Sequence, residues 1–144
     1  MIDYFENTSQ YLIVLEHVDG TDLYEYIKRR DNKVPLERAR SIIVKLAEAL
    51  RYLHQLGIVH RDLKLENVMM AEHSDSPKLI DFGLARVLAP QEKCEEPFGT
   101  LGYVAPEVLR RQPYSFSCDV WSLGCIAHAL VAGKLPFDPS HGTD

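Results

Sequence analysis

Between residues 58 and 86 the chain consists of short apolar runs, each of which adjoins a polar motif. The runs are Ile58-Val59, Val68-Met69-Met70 and Lys78-Leu79-Ile80. Runs this short fit brief strands, so the polar motifs are predicted to lie in loops that the strands carry. Two segments with helical patterning, residues 36–56 and 116–133, flank this region. Long helices combined with short, separate strands indicate a fold of the α+β class.

The segment from Leu36 to Leu56 has the strongest periodicity in the chain. Its apolar residues recur at intervals of three and four, as in a helix that buries one face, and Gly57 is suited to end that helix. These apolar positions are Ala39, Ile42, Ile43, Leu46, Ala49, Leu50 and Leu53. A second long helix is predicted from Phe116 to Gly133, where the sequence is apolar on nearly all sides. Both helices are predicted to belong to the core.

The first thirty residues predict a β-hairpin followed by a short helix. Ile2–Phe5 and Tyr11–Leu15 are β-prone, and Asn7-Thr8-Ser9 separates them. Asp19-Gly20-Thr21 then interrupts the strand pattern, and Thr21 is predicted to cap a helix from Asp22 to about Arg29.

The later part of the chain predicts a long loop and a short helix. Residues 86–105 show little periodicity, as expected of a functional loop rather than a core element. Pro106 suits the first turn of a helix through Arg111.

Composition excludes several classes of protein. The chain has 144 residues, enough for one domain with a real core, and a net charge of −5. No basic run is longer than Lys28-Arg29-Arg30, which argues against nucleic-acid binding. The three cysteines lack paired CxxC spacing, which argues against a disulfide framework or a zinc site. The most apolar stretch, Val120–Gly133, is too short to span a membrane. Together with the absence of a targeting pattern at residues 1–6, these features favour an intracellular, cytoplasmic setting.

Three polar motifs occur in one order and carry the chemistry of the chain. They are His60-Arg61-Asp62-Leu63-Lys64-Leu65-Glu66-Asn67, then Asp81-Phe82-Gly83, then Ala105-Pro106-Glu107. Transfer of a γ-phosphoryl group needs Mg²⁺, a carboxylate that orients the attacking hydroxyl and a nearby cation. Asp62 is the candidate carboxylate and Lys64 the candidate cation. Asn67 and Asp81 offer hard oxygen ligands suited to Mg²⁺.

Each motif alone would have a simpler explanation. An isolated Asp-Phe-Gly is usually a turn, and an isolated His-Arg-Asp is usually a surface ion pair. Here Asn67 follows Asp62 by five residues and Asp81 follows Asn67 by fourteen, so chance is a poor explanation. Among the six histidines only His60 lies in a motif, and the others are expected to be surface or packed residues.

With these motifs the whole chain resembles eukaryotic protein kinases of the serine/threonine type. Lys64 and Thr100 favour serine/threonine over tyrosine specificity, and Gly102–Glu107 most resembles the calcium/calmodulin-dependent group. The resemblance implies a mostly helical large lobe with short β-hairpins and a two-stranded remnant of the small-lobe sheet. Residues 1–15 would form that remnant, residues 16–21 the hinge and residues 22–144 an incomplete large lobe.

The resemblance also implies ATP and Mg²⁺ as cofactors and assigns roles to individual residues. Asp62 would be the base, supported by Lys64 and Thr100, and Asn67 and Asp81 would bind the metal. The nucleotide candidates are Leu15 as gatekeeper, Glu16 and Val18 in the hinge, Asp22 at the ribose and Met69 beneath adenine. Glu66 matches a residue that often contacts basic side chains of the substrate, although a solvated loop glutamate is an equal alternative. Asp119 matches a buried carboxylate that accepts backbone N–H groups of the His60-Arg61 turn; the alternative, which can hold at the same time, is an ordinary acid at a helix N-terminus.

The chain departs from the family pattern at both ends. It has no glycine-rich loop and no lysine–glutamate pair of the small lobe, because residues 1–15 align only with the fourth and fifth strands. Met1 is therefore expected to be an internal methionine of a longer kinase or the start of a truncated gene model. The family would continue beyond Leu135-Pro136-Phe137-Asp138, where an arginine normally pairs with Glu107. We expect Glu107 to be exposed, paired with another cation, or destabilising.

The segment before Thr100 is a further departure. No serine, threonine or tyrosine occurs between Gly83 and Thr100, so this segment cannot be switched by phosphorylation. Glu92, Glu95 and Glu96 lie where the family's phosphorylation site usually falls. We hypothesise that Glu95 or Glu96 pairs with Arg61 and partly replaces a phosphate, and the alternative is a solvated acidic loop.

The sequence thus predicts part of an ATP-dependent protein serine/threonine kinase. The expected state is a monomer that acts on a protein or peptide substrate, with a basic substrate as one option, and that has no nucleic-acid or membrane partner. The alternative is a non-catalytic binding or scaffold module built on the same lobe.

Overall fold

The computed structural model describes residues 1–32 and 34–137. Asp138 and the rest of the predicted large lobe beyond it lie outside the described residues. The strands are β1 (Asp3–Glu6), β2 (Tyr11–Val14), β3 (Gly20–Asp22), β4 (Ile58–Val59), β5 (Val68–Ala71), β6 (Ser76–Leu79) and β7 (Arg86–Val87). The helices are α1 (Leu23–Lys28), α2 (Leu36–Gln55), α3 (Pro106–Leu109) and α4 (Ser117–Ala132), and a 3₁₀ turn spans Leu65–Asn67. This mixture of helices and short antiparallel strands confirms the α+β prediction.

The two long helices pack against each other and form the centre of the core. Ala39, Ile42, Leu46 and Leu50 of α2 are buried, which confirms the face predicted from periodicity. Gly57 ends the helix region with a φ of 75°, a left-handed conformation that glycine adopts at little cost. Ile126 and Leu130 of α4 are fully buried in the same cluster. No helix within residues 1–32 and 34–137 is long and apolar enough to cross a membrane.

The strands form three small antiparallel sheets, β1-β2, β3-β5-β6 and β4-β7. The first is the predicted hairpin, and its turn is stabilised by Asn7, whose Oδ1 accepts the N–H groups of Ser9 and Gln10 at 2.9 Å each. Apolar side chains of both strands are more than half exposed, among them Tyr4, Phe5, Leu12 and Ile13. The hairpin therefore lies outside the core.

The N-cap of α1 was predicted wrongly. Asp22, not Thr21, caps the helix, because its Oδ1 accepts the N–H of Glu25 at 2.8 Å. Thr21 instead pairs with Met70 in the β3-β5 ladder. The chain stays extended through Asp22, with a ψ of 163°, so the first side chain able to reach the helix N–H groups is the aspartate.

Residues 86–105 are more ordered than their weak periodicity predicts. β7 pairs with β4, and Cys94 forms an isolated bridge with Tyr114. Cys94 is fully buried in a second apolar cluster. The members of this cluster are Val59, Leu88, Cys94, Ala105, Val108, Tyr114 and Cys118. The segment is therefore packed against the strand that leads into the His60 motif.

Candidate active site

The turn that begins the His60 motif is held by Asp119 of α4. Asp119 is 1% exposed, and its carboxylate accepts the backbone N–H groups of His60 and Arg61, each at 2.9 Å. Arg61 has a φ of 68°, which is unfavourable for a residue with a long side chain. The two hydrogen bonds to a buried carboxylate offset this strain and fix the loop that follows. The expectation for Asp119 is confirmed.

His54 also binds Asp119, and sequence reasoning missed it. Its Nε2 lies 2.8 Å from Asp119 Oδ2, and its ring packs 4.9 Å from that of Phe116. His54 and Asp119 are 65 positions apart, so no local spacing could have indicated the contact. The turn is thus connected to α2 as well as to α4.

Asp62 lies at the centre of a compact group of polar side chains. Thr100 Oγ1 donates to Asp62 Oδ1 at 2.6 Å, and Lys64 Nζ lies 3.1 Å from Asp62 Oδ2. Lys64 Nζ also donates to Thr100 Oγ1 at 3.1 Å, which closes a triangle. Asn67 Nδ2 donates to Asp62 Oδ2 at 3.2 Å and to the Asp62 backbone carbonyl at 2.9 Å. Four of the predicted site residues are therefore brought together.

The surroundings keep Asp62 ionised. Partial burial acts to raise its pKa, but the hydrogen bonds from Thr100, Lys64 and Asn67 and the charge of Lys64 outweigh that effect. The pKa of Asp62 is consequently held below its ordinary value. At neutral pH the side chain is a carboxylate whose oxygens can accept a hydroxyl proton or orient a hydroxyl group.

The two metal candidates lie at adjacent strand ends. Ile80 N–H donates to the Asn67 carbonyl at 3.0 Å, which places Asp81 next to the 3₁₀ turn. Asn67 is buried and donates through its side chain to Asp62, so its Oδ1 is the atom left for a metal. Asp81 is exposed, and its Oδ1 accepts Gly83 N–H at 3.0 Å. The described residues hold no group of three or more His, Cys, Asp or Glu that could hold a metal. An amide oxygen and one carboxylate do suit Mg²⁺, which typically takes few protein ligands and completes its shell with water and phosphate oxygens.

The nucleotide candidates lie along the three-stranded sheet and the chain that precedes it. Asp22 and Met69 are directly opposed in the β3-β5 ladder, and Lys78 opposes Met69 from β6. Lys78 also contacts Glu16, and this hydrogen bond lowers the pKa of the Glu16 carboxyl.

The other two candidates precede the sheet. Leu15 is 64% exposed, and Val18 is half-buried in the irregular segment between β2 and β3. The structure thus gathers Glu16, Asp22 and Met69 around one sheet, while Leu15 faces solvent.

His60 underlies the Asp-Phe-Gly segment. Its ring is fully buried and lies 5.1 Å from the ring of Phe82. His60 Nδ1 accepts the Asp62 N–H at 3.3 Å, whereas Nε2 has no hydrogen-bond partner among the described residues. The buried His60 ring therefore packs against Phe82 and contributes to the shape of the loop.

The glutamates of residues 92–96 differ sharply in their contacts. Glu96 lies 3.4 Å from Arg61 Nη1 and 2.9 Å from Arg86 Nη1. Glu92 pairs with Arg86 Nη2 at 2.7 Å. The Glu95 side chain forms no hydrogen bond or ion pair with the described residues. Of the two candidates for the Arg61 partner, the structure therefore supports Glu96.

Two further acidic candidates remain without a cation among the described residues. Glu66 is exposed in the 3₁₀ turn. Glu107 is only half-buried and is 3.4 Å from Ser117 Oγ. Partial exposure to water, one of the outcomes expected for Glu107, is the one found.

Comparison with known proteins identifies the family. A family profile described as "Protein kinase domain" matches residues 1–144. The chain belongs to the protein kinase family. It is 41% identical over 137 residues to "Protein kinase kin1" of Schizosaccharomyces pombe, covering 94% of this chain and 15% of that relative. It is 40% identical over 135 residues to "Protein kinase C zeta type" of Oryctolagus cuniculus, covering 93% and 22%.

A third relative, "Serine/threonine-protein kinase ppk25" of Schizosaccharomyces pombe, is 42% identical over 139 residues, covering 96% of this chain and 33% of that protein. This kinase chain therefore spans one third or less of the length of these relatives. The name of this third relative specifies a serine/threonine kinase, and none of the three names singles out the calcium/calmodulin-dependent group.

Proposed function

We propose that this kinase chain takes part in ATP-dependent phosphorylation of serine or threonine hydroxyls in protein substrates. The observation that carries the proposal is the cluster around Asp62. An ionised carboxylate, an ammonium group, a hydroxyl and a carboxamide converge there within hydrogen-bonding distance. Phosphoryl transfer depends mainly on positioning and on stabilisation of developing charge, and these groups can supply both.

In this proposal each side chain has a defined task. Asp62 orients the substrate hydroxyl and accepts its proton. Lys64 stays close to the transferring group, and Thr100 keeps the Asp62 carboxylate in place. Asn67 and Asp81 would hold Mg²⁺, which neutralises phosphate charge when bound.

Further assignments belong to the same proposal. Asp22 and Met69 face the nucleotide, with Leu15, Glu16 and Val18 in the connecting segment. In the same proposal, residues 1–15 are the small-lobe part, residues 16–21 the hinge and residues 22–144 the large-lobe part. Glu66, exposed and acidic, suits a basic substrate side chain. The sequence of residues 102–107 supports the calcium/calmodulin-dependent group as the nearest branch, and a monomer is the expected state.

A non-catalytic binding module is the second candidate. The observation that favours it is the exposed apolar surface of the β1-β2 hairpin, which a partner could cover. In that case the chain would bind another protein without transferring phosphate.

Calorimetric titration of the chain with Mg-ATP separates the two candidates. Asp81→Asn is expected to abolish the binding of Mg-ATP, whereas Asp31→Asn, a matched change at an exposed loop position, is not. Failure of the unmodified chain to bind Mg-ATP would favour the binding module.

The role of Asp62 is tested by phosphorylation of a basic peptide. Asp62→Asn is expected to keep nucleotide binding and lower turnover by roughly 10²-fold to 10⁴-fold. A decrease smaller than tenfold would contradict the role of Asp62.

A further inference from the structure

Residues 96–100 run alongside the Arg61-Asp62 dipeptide and contact it repeatedly. Glu96 pairs with the Arg61 guanidinium, and the Phe98 ring lies 5.0 Å from that same guanidinium. Gly99 is so close that an added Cβ would lie 3.2 Å from the Arg61 carbonyl oxygen. Thr100 then donates to the Asp62 carboxylate. The position of Thr100 is thus coupled to the contacts that precede it.

The Glu96 carboxylate joins two guanidinium groups. Arg86 Nη1 donates to both of its oxygens, at 2.9 Å and 3.1 Å, and Arg61 Nη1 approaches Oε2 at 3.4 Å. The Arg61 side chain is only 8% exposed and also donates from Nε to the Leu84 carbonyl at 2.6 Å. A buried guanidinium needs a compensating anion, and Glu96 provides it.

Neighbouring groups reinforce this link. Glu92 binds Arg86 Nη2 and accepts the Ala89 N–H at 2.8 Å. Tyr114 donates its hydroxyl proton to the Glu96 carbonyl at 2.7 Å, so the backbone at Glu96 is held too. Glu96 is therefore held by three separate parts of the chain, by Arg61 and Arg86 at its carboxylate and by Tyr114 at its carbonyl.

We infer that Glu96 is a positioning residue, which through Arg61 and Arg86 holds residues 96–100 in the place where Thr100 contacts Asp62. The role rests on the phosphotransfer function proposed above. Because residues 84–99 contain no serine, threonine or tyrosine, the negative charge that orders this segment is part of the sequence and requires no phosphorylation. The order of the segment is therefore permanent rather than switched.

Hydrogen exchange of the intact chain, read by mass spectrometry, tests the inference with a matched pair of variants. Glu96→Gln removes the bridging charge, whereas Glu95→Gln makes the same chemical change one residue away, at a side chain that forms no hydrogen bond or ion pair with the described residues. Glu96→Gln is expected to raise amide exchange in residues 84–101 by about fivefold, since a partly exposed ion pair contributes modestly. Exchange within α2 is expected to stay unchanged in both variants. Equal exchange in the two variants would overturn the inference.

Inorganic phosphate supplies a second test that a merely structural glutamate would not pass. In Glu96→Ala the two guanidinium groups lose their shared anion, and phosphate can take its place. Phosphate is expected to restore slow exchange of residues 84–101 in Glu96→Ala, compared with chloride at equal ionic strength, and to leave the unmodified chain unaffected. If phosphate does not slow exchange in this variant, the bridging charge is not what orders the segment.

Both tests are independent of enzymatic activity. A chain that fails to bind Mg-ATP but shows the exchange differences would refute the proposed function and leave the link itself intact. If phosphorylation is observed, Glu96→Gln should lower kcat and leave the KM for ATP unchanged. An unchanged kcat would overturn the positioning role.

Discussion

Replacement of Asp119 by asparagine tests how the candidate catalytic loop is held. The Asp119 carboxylate accepts hydrogen bonds from His54 Nε2 and from the backbone N–H groups of His60 and Arg61, and a longer one from Cys118 Sγ at 3.8 Å. Asparagine has nearly the same shape but only one acceptor oxygen. Whichever way the amide is turned, its NH₂ group faces at least one of these N–H donors. That N–H and the NH₂ group are then both left without an acceptor.

The expected loss of stability follows from this count. Each buried N–H without an acceptor costs about 1–3 kcal/mol, so two such groups cost about 3 kcal/mol in total. A chain of this size unfolds with a slope of about 1.5–2 kcal/mol per molar urea. Asp119→Asn is therefore expected to lower the urea midpoint by about 1.5–2 M with little change in slope.

Urea unfolding followed by circular dichroism measures the shift. Asp31→Asn is the matched control, because Asp31 is exposed and its φ of 51° suits asparagine as well. The control should shift the midpoint by less than about 0.3 M. If Asp119→Asn shifts the midpoint no further than the control, the hydrogen bonds to Asp119 do not hold the loop.

Three further outcomes are expected. Thr100→Ala should lower peptide phosphorylation by about tenfold through loss of its hydrogen bond to Asp62, and Thr100→Ser should retain most activity; equal loss in both would argue against the hydroxyl. In thermal unfolding, Gly20→Ala should lower the Tm because its Cβ would lie 2.0 Å from the Met70 backbone oxygen. Gly124→Ala should raise the Tm by about 3 °C, because its Cβ would have no atom within 4 Å apart from its chain neighbours and the adjacent backbone of its own helix. The opposite order would refute the geometry. The hydrogen bonds of Glu96 and the nearby arginines hold the pKa of its carboxyl below the ordinary value of 4.5. The ion pair with Arg61 is therefore fully formed above pH 4.5 and is lost as the pH falls through the lowered pKa. Proteolysis of residues 84–101 should therefore accelerate only in acid; acceleration near pH 6 would exclude Glu96 as the cause.

The features predicted well from sequence are those with a local signal. The buried face of α2 follows from the spacing of residues such as Ile42 and Leu46, and the end of that helix follows from Gly57. The Asp62 cluster is confined mostly to the 3₁₀ turn and the residues before it, so the motif was sufficient to select Asp62, Lys64 and Asn67 as site candidates.

The features that were missed depend on contacts between distant parts of the chain. The partner of His54 lies on another helix, and Cys94 is buried because Tyr114 pairs with it. Glu96 rather than Glu95 pairs with Arg61 because of the direction of the backbone. The hydrogen bonds from Tyr114 and Arg86 to Glu96 fix that direction. The Thr21 cap failed because Gly20–Asp22, where the sequence indicated an interruption, is a strand in which Thr21 pairs with Met70.

The carboxylates of Asp119 and Asp62 have different roles in the loop that begins at His60. Asp119 contacts the backbone and sets the path of the chain, whereas the contacts of Asp62 are to side chains and to Asn67 across the loop. A related chain could therefore lose Asp62, and with it the proposed phosphoryl transfer, while the loop kept its shape. Loss of Asp119 would remove the shape first. In related sequences, an unchanged Asp119 beside a replaced Asp62 would mark a lobe retained for binding rather than for phosphate transfer.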